Sequence, residues 1–198
     1  MDIKNNFQKK YIDLEKQIQK CRLCSDVDYF NHDSVYFWKD NWLLFIWEAP
    51  AKNWWRVTWK AWINEKWNII PSWKILQKLL DIIWINLSDV TFTEAVKCFP
   101  KDRKYLKTAI RNCNFLLKKQ IDLLEPKILI TLWDYPTKSL LWNYYKNFWE
   151  VAWKEFDIII NDKKYLLIPI YHPSPISPMS LKWNISIFEK IKLILWKN

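Results

Sequence analysis

A folded chain of 198 residues without a single glycine is physically odd, and this one carries 16 tryptophans. Turns and helix ends call for residues at φ > 0, which glycine adopts without steric cost. At ordinary usage a chain of this length holds roughly 14 glycines, close to the tryptophan count. The tryptophans also stand where glycine is due. Trp84 follows LLDII, at the end of a helical run, and Trp67 lies in the polar turn NEKWN. Trp133 closes the apolar run KILITL, Trp59 sits in TWKA, and Trp47 stands where the strand-like LLFI hands over to a loop. The pattern reads as a UGA codon that the source decodes as glycine and the written sequence renders as tryptophan. Individual tryptophans, or a chain truly rich in them, are the alternative.

With tryptophan set aside, aromatic content is ordinary and Leu, Ile, Val and Phe still build a core. The length fits one domain over 1–198. No run of about 18 apolar residues occurs, so no membrane span is expected. The N-terminal MDIKNNFQKK has no signal-like apolar stretch, and a cytoplasmic monomer is expected. The net charge is +10. It suits a polyanion such as nucleic acid, although a lysine-rich proteome gives the same balance.

Apolar periodicity alternates between strand and helix. Residues 6–20 read as an amphipathic helix leading into CRLC. The segment 35–46 looks hairpin-like and brings in a first core strand at 42–46. A polar loop of about 20 residues follows, from Glu48 to Pro71, and loops that long in compact domains are usually functional. Ser72 is expected to cap a helix over 73–83. Further strands are expected at 90–96 and 127–132, and helices at 104–124, 136–147 and 180–195. FDIII and YLLIPI, separated by NDKK, read as a hairpin. The alternation favours an α/β fold, a three-layer α/β/α sandwich around a mostly parallel four-stranded sheet.

Four cysteines occur, a CxxC at Cys21 and Cys24 and a wider pair at Cys98 and Cys113. Disulfides are rare in cytosolic chains. Four thiolates suit either a tetrahedral zinc or an iron–sulfur cluster, and spacing alone leaves both open. Two histidines occur. His32, in the polar FNHDS, reads as a surface residue. His172 follows the apolar YLLIPI and is held by prolines in YHPSP, a rigid placement that suits a catalytic or ligand-polarising group. Glu48 stands at another strand end, where open α/β sheets bind ligands.

Together these pieces resemble the uracil-DNA glycosylase superfamily, especially its iron–sulfur class (family four). The likeness runs through CRLC, WEAPA at 47–51, TFTEAVKCFP at 91–100, Cys113, EPKILITLW at 125–133 and YHPSP at 171–175. The family has glycine where Trp47, Trp59, Trp84 and Trp133 stand. The resemblance implies a 4Fe–4S cluster on Cys21, Cys24, Cys98 and Cys113, with zinc as the lesser alternative. It implies hydrolysis of the N-glycosidic bond of uracil, or a related deaminated base, in DNA, with the base flipped out of the stack. His172 would donate a hydrogen bond to a uracil carbonyl oxygen. Glu48, with Trp47, Ala49 and Pro50 around it, would hold the base and the water, and the loop carrying Ser174 would press on the DNA.

Three departures from the family pattern matter. Ala49 stands where the cluster-free family has its water-activating Asp. Glu94 stands where many members have an Asn that reads the uracil edge, and an ionised carboxylate lacks the amide's donor. Trp62 aligns with a Phe that stacks on the flipped base in related enzymes. A non-catalytic nucleic-acid binder of the same fold is the rival reading.

Overall fold

A computed structural model describes residues 3–29, 35–36, 43–50, 63–64, 66–142, 144–176 and 178–196. The expectations for Trp59, Trp62 and His32 lie outside them. Eight strands occur among the described residues: β1 (Val27–Asp28), β2 (Val35–Tyr36), β3 (Leu43–Trp47), β4 (Thr91–Glu94), β5 (Phe99–Pro100), β6 (Ile128–Leu132), β7 (Phe156–Ile160) and β8 (Lys163–Ile170). The helices are α1 (Ile3–Lys20), α2 (Pro71–Ile82), α3 (Leu106–Leu124), α4 (Asp134–Leu140) and α5 (Pro178–Trp196).

Six strands form one sheet in the order β2-β4-β3-β6-β8-β7. The inner four, β4-β3-β6-β8, run parallel. They are the expected four-stranded parallel core, and β2 and β7 add an antiparallel strand at each edge. β2 pairs with β4 and not with β3, so the hairpin read at 35–46 does not form. Both edges of β3 are taken by parallel neighbours, β4 and β6. The inner strands are buried on both faces, hence their continuous apolar runs.

Side chains alternate between two cores. Leu43, Phe45, Phe92, Ile130 and Ile168 face α2 and α5, and Phe45 stacks on Phe92 with ring centroids 5.2 Å apart. Leu44, Ile46, Leu129 and Leu167 face α3. Two helical layers over one sheet make the three-layer sandwich. The β7–β8 hairpin is as expected, with Asn161 and Asp162 at φ 48° and 64°. Two left-handed residues make the tight turn whose twist matches the flanking strands. A second, two-stranded ribbon pairs β1 with β5 and so ties the segment after Cys24 to the segment after Cys98.

Seven residues hold positive φ among those described, and four are tryptophans: Trp67 at 59°, Trp84 at 60°, Trp133 at 79° and Trp153 at 61°. At the end of α2 the Trp84 amide bonds to the Asp81 carbonyl at 3.2 Å and the Ile85 amide to the Leu80 carbonyl at 3.2 Å. Those two bonds are the Schellman pattern, whose left-handed position is usually glycine. Trp133 pairs its φ of 79° with a ψ of −170°, a region populated almost only by glycine.

Some boundaries differ from the sequence reading. α2 begins at Pro71 with Ile70 as N-cap and no side-chain cap. Ser72 therefore lies inside the first turn, because proline, which lacks an amide hydrogen, takes the first helical position. The helix read at 136–147 spans only Asp134–Leu140. The chain then doubles back, and the Tyr145 hydroxyl donates to the Asp134 carbonyl at 2.9 Å.

Candidate active site and thiol cluster

Parallel strands deliver their carboxyl ends to one rim. There a cavity of about 550 Å³ opens. Trp47, Glu48 and Ala49 line it from beyond β3, Leu132 and Trp133 from β6, and Tyr171, His172 and Ser174 from beyond β8. Glu48 and His172, 124 positions apart in sequence numbering, thus share one wall-lined space. Two bonds extend the sheet past its ladder and fix the Glu48 turn: the Ala95 amide to the Trp47 carbonyl at 2.7 Å and the Val96 amide to the Glu48 carbonyl at 3.0 Å.

Arg103 holds the Glu48 carboxylate with both arms of its guanidinium. Nη1 lies 2.8 Å from Oε1, and Nη2 donates to Oε2 at 2.9 Å. This fork geometry fixes the plane of the carboxylate, and the hydrogen bond raises the guanidinium pKa. Arg103 also stands over the Tyr135 ring at 5.7 Å. Arg103 lies 55 positions from Glu48. Nothing in KDRKY marks it, since the pairing is made by the fold.

The His172 loop is clamped from α5. The Ser174 amide bonds to the His172 carbonyl at 2.7 Å, and the Ser180 hydroxyl donates to the Ser174 carbonyl at 2.9 Å. The Asn184 amide donates to the Tyr171 carbonyl at 2.8 Å, while its oxygen accepts from the Trp153 indole at 2.9 Å. Burial lowers the His172 pKa to about 4, so the imidazole is neutral at pH 7 and retains one N–H to donate.

Trp47 fills part of this rim. Its ring stacks on Trp73 at 5.3 Å and meets His172 edge-on at 5.1 Å. The indole nitrogen is buried with no hydrogen-bond partner among the described residues. Glu94 is paired in register with Trp47 but is buried and does not line the cavity. Pro50 lines a smaller adjoining hollow with Phe99 and Arg103. A cavity of about 610 Å³ between α1 and α3 holds Lys163, which is tied to Asp122 and Glu125. It lies away from the carboxyl rim of the sheet, beside the first residue of β8.

The four cysteines come from three places: Cys21 and Cys24 after α1, Cys98 between β4 and β5, and Cys113 in α3. Burial pushes the Cys98 thiol up to about 12, and Cys113, Cys21 and Cys24 add to the rise. Burial likewise takes Cys113 to about 11, against the Lys97 amide and charge, which lower it. The four sulfurs therefore lie in one another's electrostatic field. Asn112 donates to Cys24 Sγ at 3.4 Å and to the Leu23 carbonyl at 2.9 Å. Among the described residues no three Cys, His, Asp or Glu stand close enough to hold a single metal ion.

The family model described as the uracil DNA glycosylase superfamily matches residues 39–192. The chain belongs to the uracil-DNA glycosylase superfamily. It is 27% identical over 140 residues to a type-4 uracil-DNA glycosylase of Sulfurisphaera tokodaii, covering 67% of this chain and 59% of the relative. It is 30% identical over 137 residues to the one from Saccharolobus solfataricus, covering 67% and 60%. The aligned region thus spans about three-fifths of each relative's length. Within the superfamily fold, the cavity at the rim joins the WEAPA and YHPSP segments. Among the described residues no helix is long and apolar enough to cross a membrane.

Proposed function

We propose that the chain hydrolyses the N-glycosidic bond of uracil in DNA. The observation that carries this reading is the meeting of Glu48 and His172 around one cavity at the carboxyl edge of a superfamily sheet. A flipped uracil enters the cavity, leaving the stacked duplex behind. As the bond to the sugar stretches, negative charge gathers on the uracil carbonyl oxygens. The neutral His172 imidazole donates a hydrogen bond to one of them, and a fixed donor of this kind lowers the barrier by a few kcal/mol. Glu48, locked by Arg103, sets its carboxylate beside the cationic sugar and orients a water for attack at C1′. Water supplies hydroxide to the sugar, and its remaining proton ends on uracil. The net charge of +10 suits the phosphates of the DNA.

We infer further that Cys21, Cys24, Cys98 and Cys113 hold a 4Fe–4S cluster. Their mutual field and the Asn112 bond to Cys24 support this. One zinc would draw four sulfurs to about 3.8 Å from each other, from its Zn–S length of about 2.3 Å. Iron and acid-labile sulfide per chain, measured against zinc, separate the two. Bound there, the cluster would act as a cross-link between the end of α1, the β4–β5 turn and α3. The tryptophan codons are inferred to be UGA read as glycine, supported by φ between 59° and 79° at Trp67, Trp84, Trp133 and Trp153. The literal polypeptide favours the second reading, a DNA binder without base release, because the Trp47 indole lies against His172.

The test is a base-release assay on oligonucleotides carrying uracil or hypoxanthine, single- and double-stranded, with glycine at the 16 tryptophan positions. Alkali-labile breaks at uracil are expected. DNA binding without base release would overturn the hydrolytic reading.

A further inference from the structure

A strand whose base is flipped into the cavity must pass over the cavity mouth, and α3 begins beside that mouth. Arg103 lines both the cavity and the adjoining hollow, and Lys101 lines the hollow with it. One short helical turn, Arg103–Tyr105, then leads into α3 at Leu106. Between Asp102 and Asp122 the sequence has no Asp or Glu, and it carries Arg103, Lys104, Lys107, Arg111, Lys118 and Lys119. Lys101, Lys104, Lys107 and Arg111 are exposed. Arg103 is bound to Glu48, and Lys104 lies 3.6 Å from Asp102. Among the described residues no carboxylate pairs with Lys107 or Arg111. The Arg111 guanidinium lies 4.7 Å over the Trp142 ring.

This charge stands at the wrong end of the helix for stability. A helix N-terminus carries positive partial charge and favours carboxylates in its first turn. The first turn of α3 has none and holds Lys107 instead. A lysine-rich proteome accounts for lysines but not for arginines, and two of the chain's four arginines, Arg103 and Arg111, stand here. Phosphates would relieve the crowding, and each one neutralised releases counterions. Lys107 and Arg111 lie four residues apart, about 6 Å along the helix. One DNA strand bears a charge about every 3.4 Å of its axis, so the pair spans about two phosphates. We propose that Lys101, Lys104, Lys107 and Arg111 form a track for the phosphodiester backbone of the strand bearing the flipped base, where it leaves the cavity. The inference rests on the uracil-DNA reading above. These side chains bind the strand and touch none of the reacting atoms.

The test combines Lys107→Gln with Arg111→Gln in the glycine-decoded chain and uses Lys118→Gln as the control. Lys118 is exposed on the same helix, seven residues and about 10 Å beyond Arg111. Folding is checked by circular dichroism. Binding to a uracil-bearing oligonucleotide with long flanks is then followed by fluorescence anisotropy across a salt series. The double variant is expected to bind about tenfold more weakly or worse, with a slope of log affinity against log salt shallower by about 1.4–1.8. Its deficit in base release should appear at limiting enzyme and shrink as enzyme saturates the DNA. Lys118→Gln should match the unsubstituted chain in both. Cutting back the flank on one side of the uracil, and on that side only, should erase the difference between the double variant and the unsubstituted chain. An unchanged slope in the folded double variant would overturn the track. So would an equal loss in Lys118→Gln, which reports net charge alone, or a difference that survives the loss of either flank. An unsubstituted chain that shows the expected binding pattern yet releases no uracil would refute the hydrolytic reading and leave the track standing.

Discussion

Replacing Trp84 by glycine and by alanine isolates the backbone demand for glycine. Trp84 holds φ 60° just past α2, inside the Schellman bonds. Left-handed backbone costs a residue with a Cβ about 1–2 kcal/mol. The indole is 72% exposed, with the Lys192 ammonium 3.5 Å over it and Trp196 at 6.5 Å. An exposed cation–π contact contributes about 0.5–1 kcal/mol. Both substitutions lose that contact, and only glycine removes the Cβ penalty. Glycine's greater freedom in the unfolded chain takes back about 0.5 kcal/mol. Trp84→Gly should therefore exceed Trp84→Ala by about 1 kcal/mol, or about 2–4 °C in Tm for a chain this size. Thermal unfolding followed by circular dichroism reads the difference directly. An alanine variant as stable as the glycine variant would refute the reasoning, because the backbone would then accept a Cβ at that position.

Trp47→Gly removes the ring edge from His172, so burial weakens and the imidazole pKa rises from about 4 toward its ordinary value; NMR titration of the ring protons checks it, and uracil release should appear in the same variant. The sign for stability follows: while the folded pKa lies below the unfolded one, stability is lost as pH falls from about 6.5 toward 4, and Trp47→Gly should shrink that loss. Arg103→Ala frees Glu48 and should slow base release about 10–100-fold. Its effect on stability should stay under about 1 kcal/mol, since Arg103's side chain is 71% exposed; chemical denaturation and single-turnover kinetics separate the two.

The parallel core was legible because β3, β4 and β6 are buried on both faces and so are written as unbroken apolar runs. The Trp84 and Trp133 turns were legible as places where glycine was missing, and both positions hold positive φ. Edge strand β2 was misjoined because two residues of strand carry no signal of which neighbour they choose. The α4 boundary was lost to a tertiary bond from Tyr145 back to Asp134. At the site, Glu48 and His172 stood out because each ends an apolar strand. Arg103 did not, since its partner lies far along the chain. Glu94, which stands where many family members have a base-reading Asn, is buried and paired in register with Trp47, which lines the cavity.

Single-turnover release of uracil from DNA by the glycine-decoded chain, with and without His172→Ala, bears most directly on the shared cavity as the seat of chemistry. We expect the rate to fall about 10²–10³-fold in the variant while DNA binding persists. An undiminished rate would mean that the group stabilising the departing base lies elsewhere in the molecule.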